Sequence, residues 1–460
     1  MVEVLSRDEI LAIHEASLGV LEKTGLSMPY DACLKLCERN GAVADYERQV
    51  ARIPGRVMEQ FLSRLRSANP PVRDPMLRGP IHGDISTQVH VVDYAASQRR
   101  LGTTRDILKG IALVERLPNI PRANAVCVPS DVDPRVSDLH SYSLLYRYAR
   151  KPGGTYILSV RTAACIMDMA DALGRRESYL LETVSPLGFR RETLEMALLF
   201  ASRHHGLAIA PMVMGGTTGP VTPAGTCALF NAEALGSLFV CHALSGEMPG
   251  FYVHGSHAAD PRTLLCSFGS PSQSLLGIAT AQLGAFYGLP SGSNSALSDS
   301  LQPDFQCGME KLSSAVFSCL AGTVGIGCQG IAGADQGFSF EQLVLDNEWL
   351  DSYNFIVKGF EANRATIAEE LIETVGIRGT YAAEAHTADH LRASWWDSGL
   401  FERVGWDVWA SRGAATSLER AHRRVEELTS GWEQMPPVVS GSLADELQRI
   451  ADSGTRGILG

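Results

Sequence analysis

The spacing of apolar residues along the chain changes near residue 103 from a mainly helical rhythm, followed by one short alternating stretch, to an alternation of short apolar runs and helices. Before it, Ile10, Leu11, Ile13, Leu18, Val20 and Leu21 recur at helical intervals. Ser6 and Glu9 stand at capping-box spacing, and Gly25 is placed to close that helix. Further helices are expected over 30–39, ended by Gly41, and from Pro54 to about Arg66. The Pro- and Arg-rich stretch 70–78 reads as a linker, and the alternation across 83–101 as a small hairpin.

Beyond residue 103, helices are expected near 104–116, 136–150, 164–173, 192–205, 224–245, 272–287 and 305–320. Between them lie apolar runs at 123–128, 155–160, 179–184, 208–214, 251–254, 289 and 323–329. Short apolar strands alternating with helices call for a parallel sheet covered on both faces. Seven strands, with an eighth from 264–268 or from the hairpin, favour a closed TIM-like (β/α)8 barrel over an open doubly wound sheet. The expected fold class is therefore α/β, in three parts. These are N-terminal helices and hairpin (1–102), barrel (103–337) and a C-terminal helical region packing on it (338–460). Trp395, Trp396, Trp406 and Trp409 lie on those last helices, and a homo-oligomer is expected from them.

Composition narrows the function. Hydrophobic residues make up 45% of the 460, enough for a large core. Forty basic against fifty-one acidic side chains give a net charge of −11, and no Lys/Arg tract interrupts it. A nucleic-acid or anionic-membrane partner is not expected. Ten cysteines without a C-x-x-C pair read as reduced thiols. With no basic leader and no apolar run near the roughly 20 residues that span a bilayer, the expected location is cytoplasmic.

Gly325, Gly327 and Gly330 match G-x-G-x-x-G, but late in the chain and followed by loop rather than helix. A tightly packed strand explains them better than a dinucleotide site. Phosphate-loop, zincin and hydrolase-elbow motifs are missing. So is the D-x-H-x-x-G of cobalamin carriers, whose nearest string, Asp138-Leu-His140-Ser-Tyr-Ser143, has Ser where Gly is needed.

In a barrel, chemistry sits at the C-terminal ends of strands. Ser130, Asp131, Arg161, Glu182, Ser185, Thr217, His254, Ser256, His257, Asn294, Asp299, Gln329 and Asp335 fall there. Any one of them serves equally well as a cap of the next helix, and Asp131 and Thr217 are typical caps. His254 and His257 are poor caps and good polar contacts.

Several strings resemble one family. Tyr381-Ala-Ala-Glu-Ala-His386 with His390, Arg392, Trp395 and Trp396 resembles the C-terminal signature of the trimethylamine:corrinoid methyltransferase (MttB) superfamily. Gly216–Gly225 with Asn231 and Glu233, Phe338 to Glu348, Leu5 to Ser17, and Val128-Pro-Ser130-Asp131 are similar to the same family in the same order. The resemblance implies a TIM-like barrel and methyl transfer in one-carbon metabolism. Family members acting on trimethylamine carry pyrrolysine in a strand-end loop, whereas 330–337 here holds only standard residues. That points to the branch resembling glycine betaine:corrinoid methyltransferases.

The implied donor is a quaternary amine. The implied acceptor is the Co(I) corrinoid (cobalamin) of a partner protein, and no tightly bound metal is expected. Position alone suggests Asp299, Asp335 and Glu182 as the negative field. Phe251, Tyr252 and Phe305 are candidate walls, with His254, His257, Arg161 and Gln329 as candidate polar contacts. Two rival readings are a zinc-dependent corrinoid methyltransferase for another donor, using Cys266, Cys328, His254 and His257, and a non-catalytic betaine-binding barrel.

Overall fold

A computed structural model describes residues 2–69 and 81–460, so the stretch read as a linker lies outside the described residues. The first helix, Arg7–Lys23, begins with the expected reciprocal cap: Ser6 N–H donates to Glu9 Oε2 (2.7 Å) and Glu9 N–H to Ser6 Oγ (3.4 Å). Helices Asp31–Arg39 and Gly55–Ala68 follow around a small antiparallel sheet of Leu26–Ser27, Val50–Arg52 and Val43–Asp45. Their apolar faces, with Leu21, Leu34, Phe61 and Leu65 fully buried, join one core with helix Pro223–Ser245. The approach is close: a Cβ on Gly236 would lie 2.5 Å from Leu26 Cδ1. Pro223–Ser245 is long and apolar enough to cross a bilayer by length and composition, yet it lies mostly buried as the central helix of this core.

The main body is mixed α/β. Ser178–Glu182 pairs in parallel with Gly206–Ala210, Met214–Gly215 with His257–Ala259, and Gly292–Ser293 with Gly325–Ile326. Isolated backbone bonds extend these pairs. Gly292 N–H donates to Val253 O (2.9 Å), Gln329 N–H to Asp84 O (2.6 Å) and Val128 N–H to Gln88 O (2.8 Å). Gly153 N–H donates to Ala123 O (2.9 Å). The order of neighbours is thus 178–182, 206–215, 253–259, 292–295, 325–329, 84–88, 123–128 and 152–154, with parallel bridges at Asp84–Cys328, Gln88–Cys127 and Ala123–Pro152.

Three expectations change. The run 264–268 supplies Cys266–Ser267, which folds back antiparallel onto His257–Ala259. Residues 84–88, expected as part of a hairpin, run parallel to two neighbours instead, and the hairpin is only His90–Asp93 with Gln98–Leu101. No strand forms over the expected 155–160: the parallel bridge lies earlier, at Pro152, and Ser159, reciprocally capped with Thr162, starts helix Val160–Ala172.

C-terminally, helix Phe340–Lys358 packs with Ser417–Leu428, and Gly441–Leu459 packs on Ser137–Tyr148 and Val160–Ala172. Between them run four short helices, Arg364–Ile367, Glu369–Val375, Ala385–Ser394 and Trp406–Ser411, none with a buried residue.

Candidate functional site

His254 lies where glycine clears room. The three atoms nearest a Cβ built on Gly292 all belong to the imidazole, with Cε1 at 2.5 Å and Cγ at 3.0 Å, and Gly325 is the next layer at 4.0 Å. His254 keeps accessible surface although protein atoms surround its ring. Enclosure lowers its pKa, opposed by the carboxylate of Asp84. Phe251 adds a ring 5.1 Å away. Asp84 itself is clamped by Arg122 Nη2 (2.6 Å) and Asn124 Nδ2 (2.8 Å). On Ser178–Glu182, Tyr179 and Leu181 are buried whereas Ser178, Leu180 and Glu182 face accessible space. The period of two places Glu182 on the open side.

A second group gathers Asp299 and Asp335. The turn Gly330–Gly337 has left-handed backbone at Gly330, Gly333, Ala334 and Asp335. It is tied to the neighbouring loop by Gly333 N–H to Ser300 O (2.7 Å) and Ala334 N–H to Ser298 O (2.9 Å). Asp335 accepts from Gln88 Nε2 at 2.5 Å. Asp299 accepts from Ser267 Oγ and Phe268 N–H, both at 2.7 Å, so its carboxylate pins the 266–268 turn. Burial, then Asp299 and Asp335, push the Cys266 thiol up to about 12; burial, then Asp84 and Asp335, do the same for Cys328.

Behind this turn sits a buried ion pair. Lys311 Nζ donates to Asp346 Oδ2 (3.0 Å) and to Ala296 O (3.1 Å). Asp346 also accepts from Gly330 N–H (2.7 Å), Gln342 Nε2 (2.8 Å) and Trp349 Nε1 (2.9 Å). Every oxygen is engaged, the condition under which a buried carboxylate is tolerated. The pair fixes the start of the Asp335 turn.

The remaining candidates scatter. His257 is fully enclosed: Asn294 Nδ2 donates to its Nε2 (3.1 Å), so Nδ1–H donates to Gln273 Oε1 (3.0 Å). Burial lowers its pKa to about 4. Tyr252 points the other way, into the helical layer, where its hydroxyl donates to Asn231 Oδ1 (2.5 Å). Gln329 is buried and folds onto Gly327 O (2.6 Å). Arg161 is exposed on the first turn of Val160–Ala172, and Phe305 is 85% exposed at the start of helix Phe305–Ala321. Asp131 does not cap the helix that follows it; it accepts from Thr104 N–H (2.9 Å) at the start of the preceding helix Thr104–Val114.

Asp84, Gln88, Arg122, Asn124 and Gly292 were missed from the sequence. Asp84 and Gln88 fall in the stretch read as hairpin, and nothing local marks a glycine as the floor beneath another strand's histidine. The family-like strings also gain structural roles. Glu233 accepts from Thr183 Oγ1, Ser185 Oγ and Leu187 N–H, each at 2.7 Å. Asn231 donates to Ser17 Oγ (2.9 Å) and Tyr287 OH (2.8 Å). Among the described residues no group of three or more His, Cys, Asp or Glu side chains is arranged to hold a metal ion.

Among the strand ends of this α/β body, His254 stands over Gly292 and Gly325 beside Phe251, and Asp84 acts on its charge. The sequence profile of the trimethylamine methyltransferase (MTTB) family matches residues 1–454. The chain belongs to that family and is a methyltransferase. It is 25% identical to the trimethylamine methyltransferase MttB of Desulfitobacterium hafniense (strain DSM 10664 / DCB-2), over 97% of this chain and 94% of that one. It is 26% identical to the glycine betaine methyltransferase of D. hafniense (strain Y51), over 98% and 97%. In fold it is similar to the Methanosarcina barkeri monomethylamine methyltransferase (MtmB), with a TM-score of 0.52 at 9% identity, covering 98% of this chain and 91% of that one.

Proposed function

We propose that this methyltransferase takes a methyl group from a quaternary amine of the glycine betaine type and delivers it to the Co(I) corrinoid of a partner protein. The observation that carries the choice of donor is the turn Gly330–Gly337. It consists only of standard residues, Asp335 among them, whereas trimethylamine-specific relatives are expected to carry pyrrolysine in the corresponding loop. We read the eight neighbouring backbone segments as the staves of a TIM-like barrel, with His254, Glu182 and Asp335 around its lumen. Ten free cysteines support a cytoplasmic setting.

A quaternary ammonium has no lone pair to protonate, so the site needs no general acid. The methyl carbon leaves as its bond pair stays on nitrogen, releasing a neutral tertiary amine. The reduced corrinoid supplies the nucleophile. This chain lacks the carrier's D-x-H-x-x-G string, consistent with a cofactor that arrives on a partner. The residues here align the N–CH₃ axis and exclude water. Asp335 and Glu182 provide a negative field without gripping the cation so firmly that the ground state is favoured. Phe251 offers a π face, a contact contributing about 0.5–2 kcal/mol. Neutral His254 donates an N–H to the substrate's carboxylate and sets its polarity in the pocket.

His257 has both ring nitrogens engaged, by Asn294 Nδ2 and Gln273 Oε1, so it is not free to serve as a zinc ligand and the zinc reading gains no support from its geometry. The test is a panel of methylated amines mixed with Co(I) corrinoid, followed by the corrinoid's visible spectrum. Carboxylated quaternary amines should discharge Co(I), and trimethylamine should be far slower. Equal rates for trimethylamine and betaine would overturn the choice of donor. Tight betaine binding without any transfer would identify a non-catalytic barrel.

A further inference from the structure

Between residues 351 and 420, Leu400 alone is buried. The segment is nevertheless helical and rich in large apolar side chains. Phe360 is 94% exposed, Ile377 97%, Trp395 71% and Trp406 74%, and Ile367, Ile372 and Leu391 are more than half exposed. Over 359–392 its side-chain hydrogen bonds close within itself, as in Thr366 Oγ1 to Glu361 O (2.9 Å) and Thr387 Oγ1 to Tyr381 O (2.6 Å), whereas Ser398 Oγ reaches Glu348 and Leu400 O accepts from Arg420 Nε (2.7 Å). Trp396 Nε1 to Asp351 Oδ2 (2.8 Å) tethers its far end to helix Phe340–Lys358. A segment with this composition and no core of its own does not hold its shape in water.

The same chain carries a second unpartnered apolar surface. On helix Phe305–Ala321, Met309, Leu312, Phe317 and Leu320 are each 42–54% exposed. The outer face of a helix in an α/β body is normally polar. Beside it, between this helix and Pro271–Tyr287, lies a cavity of about 410 Å³ lined by Val4, Leu275, Ile278, Met309 and Phe317.

We infer that residues 359–411 form an exchange arm that packs onto a second copy of this chain, covering its Met309–Leu320 face and filling that cavity. Size favours a permanent partner. The arm's apolar side chains present on the order of 1,000 Å². The largest apolar patch of a monomer is roughly 300–600 Å², and a stable interface takes about 800 Å² from each partner. A carrier protein that must leave after every turnover fits a smaller, more polar surface. Finally, arm and groove are both uncovered on one chain, and a single two-fold exchange hides both. The inference is independent of the methyl donor.

The test is sedimentation velocity on the full chain at micromolar concentration. Wild type should run as a dimer or a multiple of one. Phe360→Asp/Ile377→Asp, in the arm, and Met309→Asp/Phe317→Asp, in the groove, should each shift it to monomer with far-UV circular dichroism retained. Mixing the two variants should restore one of the two arm–groove contacts, the intact arm of the groove variant in the intact groove of the arm variant, and so shift the mixture towards dimer relative to either variant alone. A monomeric wild type, an arm variant of unchanged size, or a mixture no more dimeric than either variant alone at concentrations up to about a hundred micromolar would overturn the arm-in-groove contact. If either variant loses its circular dichroism, cross-linking of wild type followed by peptide mapping decides: linked arm and groove peptides from different copies support the contact, and their absence overturns it.

Discussion

Replacing Gly292 by alanine tests the placement of His254 without touching the histidine itself. The new Cβ would stand 2.5 Å from Cε1 and 3.0 Å from Cγ of the imidazole, and no other residue is among its three nearest neighbours. Real Cβ contacts essentially never fall below 3.0 Å, so the ring must turn away. Forced overpacking costs about 1–3 kcal/mol, and the accessible space beside His254 puts Gly292→Ala at the low end. The functional cost is larger. Losing a charge-assisted hydrogen bond to a carboxylate is worth about 1.5–3 kcal/mol, roughly 10- to 150-fold in KM. Gly292→Ala should therefore raise KM for a carboxylated betaine much as His254→Ala does, and leave tetramethylammonium nearly unaffected. Because both changes act through one ring, the double variant should be no worse than His254→Ala alone. The assay is steady-state kinetics of all three variants on both donors, with a thermal melt of each. Additive effects in the double variant, or equal losses on the tail-less donor, would refute the reasoning.

Two further outcomes follow from buried charge. His257 titrates near 6.5 when unfolded and at about 4 in the fold, because burial disfavours its charged form. The unfolded chain therefore binds a proton that the folded chain refuses, and stability falls as pH drops from 6.5 to about 4, by roughly 3 kcal/mol in total. Urea unfolding across that range should show the slope, and His257→Asn should remove that share of it; an unchanged slope would show that His257 is not the source. Lys311→Met leaves Asp346 buried without its cation and should cost about 3–5 kcal/mol in the same assay, with Lys311→Met/Asp346→Asn recovering part of it. A loss below about 1 kcal/mol would mean that the pair is not closed as described.

What the amino-acid sequence determined by itself was local or motif-borne. The Ser6–Glu9 box, the helices between glycines and the alternation of helix with apolar run depend on neighbours three or four residues apart, and the structure keeps them. The family strings were legible because they span the whole chain in order. Side-chain direction on the strands was a different matter. The strands are two to five residues long, too short to display a period, and a shift of one residue reverses every side chain. Tyr252, expected as a pocket wall, faces Asn231 in the helical layer although His254, two residues on, faces Gly292; residues 251–256 are not regular strand, so the period of two does not hold there.

Residues 84–88 show the same limit. Alternation reads alike in a hairpin and in a parallel strand, and only the partners at Cys127 and Cys328 decide between them. Asp299 and Asp335, 36 positions apart, meet because Ser298 and Ser300 accept from the 333–334 backbone and Asp346 with Lys311 holds Gly330 behind them. Helices carry their hydrogen bonds within the segment, so their positions can be read locally. Strand neighbours and carboxylate partners are contacts between distant segments, and only the folded chain chooses them.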